Sequence, residues 1–561
     1  MSTENDAVVG RLQSCLPQIQ RIQSITQTPS ITFGIIHHGQ VIFKNSIGHR
    51  DSALALPADS ETIYMLGSCS KMFTSAAAGI LVEEGKLSWT DRIQKYLPEF
   101  NPEGDPRLGL EADIIDCLRH TTGLASPTML TVGPRGTIAS VEEDLVAILN
   151  VMPTRNPATG EQRFNREWLY NNAAVGLVAL IIERISGQRF ADFLRERLLE
   201  PLGMSRTAVT RSDIEADGNV AAPCTKLSDG TFYQLPDSSW PCDHHSPLLA
   251  GMGMRSSLND MLTWCTAVLD AERSETDPNY KRIVPNNPLK QMRRVRRGYW
   301  TRPADDPDFS KPAAYGMGWF RVDLPSSKLS SFSGNSLSQS NGHKLHLHYI
   351  VGKDSVATPF PAVGHTGGMR GSIFSVYTFP DTQSAVVTAT NGRDLGDASD
   401  FTAQILVQAL FGLTPGVDLI PWALKEAGLA ANQYRVHIEE PWEQGRRPDD
   451  TERDYMLYVG EYSGFNDRFR LMIAASTLSQ APLSIVFNRR LDSECPLVFY
   501  QTDVYSFFRP DEDYAKTQAI IAKNFKQMLL RFQVDEQGSV EGLYWQWDTE
   551  AEPAWFRKLG Q

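Results

Sequence analysis

The sequence has few of the features that mark secreted, membrane-spanning or metal-binding chains. Its seven cysteines are widely scattered and no two are spaced Cys-x-x-Cys, so neither a zinc ribbon nor a redox pair is expected. The longest uninterrupted apolar run, residues 173–182, is too short to span a bilayer. There is no signal-peptide pattern at the N-terminus and no Asn-x-Ser/Thr acceptor site, so we expect a cytoplasmic protein that does not enter membranes.

Positive charge is also in short supply. Lysine and arginine total 54 against 66 aspartates and glutamates, which gives a net charge of −12. This balance argues against general binding to nucleic acid or to anionic membranes. The 16 lysines are so sparse that Ser-x-x-Lys occurs once, at Ser68 and Lys71. We expect no metal and no cofactor.

The length of 561 residues exceeds the roughly 250–300 that one hydrophobic core supports, so several domains are expected. Apolar residues at helical spacing predict an N-terminal helix over residues 1–24. A catalytic domain is predicted over 25–413, and a linker rich in proline, glycine and charge over 414–455. Short alternating segments over 456–561 predict a small antiparallel barrel or sandwich.

Local patterns place the candidate residues on secondary structure. Two apolar runs around His38-Gly39-Gln40 predict a β-hairpin. The segment from Lys71 to Glu84 predicts a helix that ends at Gly85, a favourable C-cap. A helix is predicted over 166–186, and paired strands over 371–390.

The spacing of Ser68 and Lys71 predicts an activated nucleophile. Residues i and i+3 share one face of a helix, so the Lys71 amine can lie beside the Ser68 hydroxyl. A serine hydroxyl becomes nucleophilic when a neighbouring base takes its proton, which an uncharged amine can do. The helix N-terminus adds its positive dipole end. Cys69 points away from Lys71 on such a helix, and we interpret it as a small buried residue.

Two further motifs follow in the sequence, Tyr170-Asn171-Asn172 and then His365-Thr366-Gly367-Gly368. Ser-x-x-Lys, Tyr-x-Asn and His-Thr-Gly in this order resemble the serine β-lactamase and penicillin-binding-protein family, which includes DD-peptidases, D-aminopeptidases, carboxylesterases and acyltransferases. Additional segments agree with the family pattern, namely His120-Thr121-Thr122-Gly123-Leu124, Glu200-Pro201-Leu202-Gly203-Met204 and Tyr315-Gly316-Met317-Gly318-Trp319. The resemblance covers residues 25–412.

The resemblance implies an α+β fold of the β-lactamase/transpeptidase type, with an antiparallel sheet flanked by helices and an all-helical subdomain. It also implies that the C-terminal domain is a lipocalin-like antiparallel barrel. Site roles follow from the matched positions. Catalytic roles are implied for Ser68 as nucleophile, Lys71 as base, Tyr170 as second proton carrier and His365 as a group that orients Tyr170 or, when protonated, holds a substrate carboxylate. Substrate contacts are implied for Asn172, Thr366, Gly367 and Gly368, with backbone N–H groups near Gly367 and at Ser68 as oxyanion donors.

The chain departs from the family pattern at two positions. Tyr170 replaces the serine of Ser-Asp-Asn, and His365 replaces the lysine of Lys-Thr-Gly, which removes a permanent cation and weakens the case for a β-lactamase. We therefore expect a hydrolase of a small-molecule ester, thioester or amide, with secondary metabolism as the expected setting. An acyltransferase that uses the same acyl-enzyme and a non-catalytic ligand-binding homologue stay open as alternatives. The oligomeric state is open.

Three histidines, His343, His346 and His348, alternate along a predicted strand. Alternating histidines can hold a metal, but no cysteine or acidic cluster lies near them in sequence. We interpret them as part of a solvated hairpin.

Overall fold

A computed structural model describes residues 2–560, apart from 228, 237–245, 305, 307–310, 327–328, 330–332, 336–338, 341–342, 345–348, 355–358, 393–394, 477–480 and 518–521. The chain divides into two compact units. The first comprises Met1–Trp89, Val178–Leu235 and Ala250–Ala431, and the second comprises Thr90–Leu177, Pro236–Leu249 and Asn432–Gln561. Because each unit combines separate stretches of chain, the linear domain boundaries expected from the sequence stay a prediction.

The helices are distributed over both units. The α-helices are α1 (Ser2–Ser14), α2 (Leu16–Thr26), α3 (Ser70–Glu83), α4 (Pro106–Glu111), α5 (Ile114–Leu118), α6 (Thr128–Thr131), α7 (Leu145–Asn150), α8 (Asn172–Ser186), α9 (Phe190–Leu194), α10 (Glu200–Leu202), α11 (Leu249–Met252), α12 (Leu258–Thr276), α13 (Met292–Val295), α14 (Ala398–Phe411), α15 (Ile420–Ala430), α16 (Glu440–Gly445) and α17 (Asp511–Ala515). Short 3-10 turns occur at Gly67–Cys69, Ile93–Lys95, Glu142–Asp144, Arg211–Ile214, Pro380–Thr382, Tyr455–Tyr458 and Phe525–Met528, and π-helical turns at Arg195–Leu199 and Arg435–Glu439.

The strands form one large sheet, a barrel and smaller sheets. They are β1 (Ser30–His37), β2 (Gln40–Asp51), β3 (Leu56–Pro57), β4 (Ile63–Met65), β5 (Thr207–Ala208), β6 (Cys224–Lys226), β7 (Phe232–Gln234), β8 (Arg255–Ser257), β9 (Trp300–Thr301), β10 (Ala314–Tyr315), β11 (Phe320–Leu324), β12 (Gln339–Ser340), β13 (His343–Lys344), β14 (Phe360–Met369), β15 (Ser372–Phe379), β16 (Ser384–Thr390), β17 (Gly460–Gly464), β18 (Phe469–Ala475), β19 (Leu483–Phe487), β20 (Arg490–Gln501), β21 (Val504–Ser506), β22 (Leu529–Val534), β23 (Val540–Trp545) and β24 (Ala554–Lys558).

The large sheet is the core of the first unit. Over the described residues it has nine strands in the order β3-β2-β1-β16-β15-β14-β11-β10-β9. Each pair of neighbouring strands in this sheet is antiparallel, and the central strands β1, β15 and β16 are buried along their whole length, which indicates that both faces of the sheet are covered there. The predicted hairpin is confirmed as the β1–β2 pair, with His38 and Gly39 at positive φ in its turn.

The second unit combines the helical stretch α4–α7 with a closed antiparallel barrel of strands β17–β24. The barrel interior is packed with aromatic rings, since the ring of the buried Trp545 lies 5.5 Å from that of Phe487 and 6.1 Å from those of Phe507 and Phe556. The expected α+β class and C-terminal antiparallel barrel are therefore confirmed. The stretch 414–455, expected as a linker, contains α15, the second π-helical turn and α16.

One predicted helix begins later than expected. Helix α8 starts at Asn172, so Tyr170 lies on a loop and the prediction of a helix from Arg166 was wrong. Asn165 has a left-handed φ of 55°, which interrupts helical geometry. The Asn171 side chain then accepts a hydrogen bond from Ala174 N at 3.1 Å and caps α8.

Candidate active site

Ser68 lies on a tight turn between strand β4 and helix α3. The turn Gly67–Cys69 is a single 3-10 turn, and Gly67 adopts a φ of +51° that L-residues with a side chain rarely take. Ser68 is partly exposed, whereas the two residues that follow it, Cys69 and Ser70, are buried. The turn therefore presents the Ser68 hydroxyl while its neighbours hold the backbone.

Lys71 is fully buried in the first turn of α3, and its amine reaches Ser68. The Nζ atom lies 3.1 Å from Ser68 Oγ and donates to Gly251 O at 2.7 Å. The distance to Ser68 is within the reach of direct proton transfer between a nucleophile and its base. The pairing predicted from the Ser-x-x-Lys spacing is thus present in the geometry.

The segment 250–254 fixes the start of α3. Thr74 Oγ1 donates to Ala250 O at 2.8 Å, and Met254 N donates to Ser70 Oγ at 3.0 Å. Ser70 Oγ in turn donates to Gly67 O at 2.7 Å. With the Lys71 bond to Gly251, these contacts hold the nucleophile turn on both sides, and such preorganisation is what a reacting pair requires.

Strand β14 passes against the nucleophile turn at Gly367. A Cβ atom built on Gly367 would lie 1.8 Å from Leu66 O and 2.8 Å from Ser68 N, so any side chain there would displace the turn. The pairing of β14 with β11 ends at Gly364, whereas its pairing with β15 continues to Met369. Among the described strands, none pairs with the β11-side edge of residues 365–369, and Gly368 on this stretch is exposed.

His365 lies on β14 and is fully buried beside Tyr315. Its Nδ1 is 2.6 Å from Thr366 O, which can only accept, so Nδ1 carries the proton and Nε2 accepts from Tyr315 Oη at 2.9 Å. Burial, together with the nearby Lys71, lowers the pKa of His365 from its ordinary 6.5 to about 3. The imidazole is therefore neutral at physiological pH, which disfavours a role as a cationic carboxylate holder.

Cys69 does not have the properties of a nucleophile. Its side chain is buried, with Sγ 3.4 Å from His365 O. Burial raises the pKa of the Cys69 thiol well above its usual range, so the reactive thiolate is disfavoured at neutral pH.

Tyr170 and Asn172 belong to the second unit. The Tyr170 ring packs on His120 with a centroid distance of 4.2 Å, and His120 Nδ1 accepts from Asn171 N at 3.2 Å. Asn171 Nδ2 also donates to Leu124 O at 3.1 Å. Asn172 is the first residue of α8.

Sequence reasoning assigned no role to His120, Asn171 or Tyr315. All three lie within segments that carried the family resemblance. Their place in those segments was the one feature of the sequence that could have identified them. Their contacts show what each residue does, because His120 and Asn171 support the Tyr170 loop, whereas the Tyr315 hydroxyl donates to Nε2 of His365.

The described residues give no support for a metal site. No group of three or more histidine, cysteine, aspartate or glutamate side chains among them is arranged to hold an ion. His343 lies on β13, and the positions of His346 and His348 are outside the described residues. Of the helices that are described, none has the length and apolar character needed to cross a membrane.

Comparison with known proteins gives consistent similarities. The sequence model of the Beta-lactamase family matches residues 19–409. Penicillin-binding protein 4* of Bacillus subtilis (strain 168) is 28% identical over 172 residues, 30% of this chain and 36% of that protein. Unguisins hydrolase ungD of Aspergillus violaceofuscus is 23% identical over 321 residues, 54% and 53% of the two chains. The match thus spans between about a third and a half of these two relatives.

Two further matches cover a larger share of the matched protein. The Beta-lactamase of Escherichia coli (strain K12) is 24% identical over 368 residues, 65% of this chain and 84% of that protein. The octameric penicillin-binding protein homologue from Pyrococcus abyssi has a similar fold, with a TM-score of 0.53 at 18% identity, over 98% of this chain and 100% of that chain. Because the family match extends from before Ser68 to beyond His365 and covers more than half of the sequence, this chain belongs to the Beta-lactamase family of serine hydrolases.

Proposed function

We propose that the protein hydrolyses an ester, thioester or amide bond of a small molecule through an acyl-enzyme on Ser68. The observation that carries this proposal is the position of the buried Lys71 amine, 3.1 Å from Ser68 Oγ on a turn held by bonds to residues 250–254. A base at this distance is the arrangement that serine nucleophiles require.

In the first step Ser68 Oγ bonds to the substrate carbonyl carbon, and its proton passes to the uncharged Lys71 amine. The bond from that carbon to the leaving oxygen, sulfur or nitrogen then breaks, and the leaving group takes up the proton. Water attacks the acyl-enzyme in the second step, which returns the proton to Ser68 and releases the acid. The Ser68 N–H and the backbone of β14 at Gly367 are the proposed oxyanion donors, typically worth several kcal/mol in the transition state.

We assign the transfer of the proton between Lys71 and the leaving group to Tyr170. This role rests on the order of the motifs in the sequence and on the family resemblance. Support comes from the packing that holds Tyr170 within its own unit, where the centroid of its ring lies 4.2 Å from that of His120. On the same basis Asn172 is proposed to bind the acyl part of the substrate, and Thr366 and Gly368 are proposed to contact the substrate.

His365 is proposed to act as a neutral group that holds β14 in place. Its two ring nitrogens are engaged with Thr366 O and Tyr315 Oη. Where a lysine would supply a permanent cation, a neutral imidazole supplies none. The preferred substrate would accordingly carry no carboxylate beside the bond that is cleaved, which separates it from penicillins.

The relatives of this chain include proteins that are named as hydrolases or peptidases. Two are called unguisins hydrolases and others D-aminopeptidases. These names agree with hydrolysis as the reaction, and we further propose a substrate from secondary metabolism that the protein meets in the cytoplasm.

The test is a panel of matched substrates that differ in one feature at a time. p-Nitrophenyl esters and p-nitroanilides with a neutral acyl group are compared with the same compounds carrying an adjacent carboxylate, and with the chromogenic β-lactam nitrocefin. The proposal predicts that kcat/KM is highest for a neutral acyl compound. Preference for the carboxylates or for nitrocefin would contradict the assignment of His365.

The same assay addresses acyl transfer, the alternative reaction. Alcohols and amines are added as acceptors, and the products are separated by mass. Hydrolysis predicts the free acid as the main product at every acceptor concentration. A product that carries the acceptor in excess over the acid would identify the protein as an acyltransferase with the same Ser68 chemistry.

A further inference from the structure

The connection between the last two barrel strands contacts a buried arginine of the helical part of the same unit. This connection, residues 546–553, carries Glu550 between β23 and β24. Arg163 Nη1 donates to Glu550 O at 2.9 Å, and Nη2 donates to Glu550 Oε2 at 3.2 Å. Arg163 has no exposed surface, so its guanidinium depends on protein partners in place of water. The barrel thus supplies two of the hydrogen-bond acceptors that stabilise the buried Arg163 guanidinium.

The connection is held firmly on the barrel. Gln546 Nε2 donates to Ala551 O at 2.7 Å, and Glu550 N donates to Asp548 Oδ1 at 2.9 Å. The buried ring of Trp547 meets Phe465 edge-on, with a centroid distance of 5.4 Å. Glu550 is therefore presented from a fixed turn, although its own carboxylate is about half exposed, with 47% of the side chain accessible.

Arg163 begins the loop that leads to Tyr170. Its carbonyl accepts from Arg166 N at 2.9 Å and from Glu167 N at 3.1 Å, and Glu167 Oε2 returns to within 3.0 Å of Arg163 Nε. Arg163 thus organises a compact turn with both its backbone and its side chain.

The far side of this loop is bound to the segment that carries His120. Asn165 N donates to Thr121 O and Leu169 N to His120 O, both at 2.9 Å. Tyr170 follows directly and packs on the His120 ring. The loop is thus fixed by His120 and Thr121 on one side and, through Arg163, by Glu550 on the other.

We propose that Glu550 is a positioning residue for the reaction, which acts through Arg163 on the loop that carries Tyr170. The C-terminal barrel thereby contributes to proton transfer. This inference rests on the proposed function, because it assumes that Tyr170 carries a proton. Its physical basis is that a catalytic group must be held within a fraction of an ångström, and a displacement of about 1 Å can cost about 10²-fold in rate.

The test compares substitutions of Glu550 with the same substitutions at Glu552, an exposed glutamate of the same connection. In Glu550→Ala the carboxylate acceptor is lost, and we expect kcat to fall about 10-fold with KM within about threefold of wild type. In Glu550→Gln the amide oxygen still accepts from Arg163, and kcat should stay close to wild type. Glu552→Ala and Glu552→Gln should leave both constants unchanged.

A double-mutant cycle with Tyr170→Phe separates positioning from general stability. If Glu550 acts through Tyr170, Glu550→Ala will cost little further kcat in the Tyr170→Phe background, because the group that it positions is already lost. An equal loss in both backgrounds, or a normal kcat in Glu550→Ala, would overturn the inference. Thermal unfolding of each variant shows whether a loss of kcat merely follows a loss of folded protein, in which case the inference is also rejected.

Failure of the proposed function gives a different result. If fluorophosphonate labels Ser68→Ala as well as wild type, or Tyr170→Phe retains normal kcat, the proposed mechanism itself is wrong and the role of Glu550 falls with it. If labelling requires Ser68 and Tyr170→Phe is impaired, the cycle with Glu550 tests the present inference alone.

Discussion

Replacing Gly367 by alanine should abolish most of the activity while leaving every proposed catalytic side chain in place. The added Cβ would lie 1.8 Å from Leu66 O and 2.8 Å from Ser68 N. Real Cβ contacts are essentially never shorter than 3.0 Å, so β14 and the nucleophile turn must separate by at least about 1.2 Å. A displacement of this size between reacting groups costs about 10²-fold. We therefore expect kcat to fall by about 10²-fold or more.

The control is Gly364→Ala on the same strand. Its Cβ would clash equally, at 1.9 Å from Val376 O, but it would displace β15 and not the nucleophile turn. Both variants should lose stability, so kcat is referred to the folded protein, which is measured by circular dichroism and gel filtration. Gly367→Ala should lose turnover and fluorophosphonate labelling, whereas folded Gly364→Ala should retain most of both. Activity of folded Gly367→Ala within about threefold of wild type would show that the close approach of β14 to the nucleophile turn is not required for turnover.

Three further predictions concern single side chains of the site. Lys71→Met should lower kcat by about 10²-fold or more, the usual worth of a positioned base, whereas the exposed Lys86→Met should not; an equal effect of both would remove Lys71 from the mechanism. Cys69→Ala should retain fluorophosphonate labelling, because the raised pKa of its buried thiol keeps it unreactive; lost labelling in a folded variant would count against Ser68. Burial lowers the pKa of His365 to about 3, so between pH 6.5 and 3 the unfolded chain binds more protons at this residue, and stability falls as pH falls by up to about 1.4 kcal/mol per unit. Urea unfolding between pH 7 and 4 should give a smaller loss for His365→Gln than for wild type, and parallel losses would contradict a neutral buried imidazole.

Sequence reasoning succeeded where local patterns determine the structure. The helix predicted from Lys71 to Glu84 is α3, and Gly85 follows it at a φ of +68° as a glycine at a helix end commonly does. The spacing of Ser68 and Lys71 was sufficient to predict their contact, because three residues along one turn leave little freedom. Strand β18 of the barrel was recognisable from its alternating pattern and flanking turns.

The Tyr170 loop could not be predicted in the same way. Its residues have acceptable helix propensity, but the backbone N–H groups of Asn165 and Leu169 donate to carbonyls in the segment 120–121, and these bonds override that propensity.

 The residues that accept these hydrogen bonds lie more than 40 residues earlier in the chain, so no local sequence pattern indicates the contact. The same holds for Arg163 and Glu550, which are 387 residues apart and whose pairing follows only from the fold.

His365 shows how burial decides between chemical alternatives. From sequence, its imidazole had two possible roles, one of which required a positive charge. Tyr315, 50 residues earlier, donates to Nε2, and the imidazole is fully buried, so its neutral form is favoured.

The stretch predicted to be a linker contains helices for a related reason. Helix α15 packs the ring of Trp422 against that of Tyr349, with a centroid distance of 5.0 Å, and composition does not reveal this contact.

The most direct test of the mechanism is the mass of the adduct that an activated acyl or fluorophosphonate compound leaves on the protein. Wild type is treated with the compound, digested, and the modified peptide is sequenced by mass spectrometry, with Ser68→Ala treated in parallel. We expect one stoichiometric adduct on Ser68 of the wild type and none on Ser68→Ala. An adduct on another residue, or equal modification of Ser68→Ala, would contradict the mechanism.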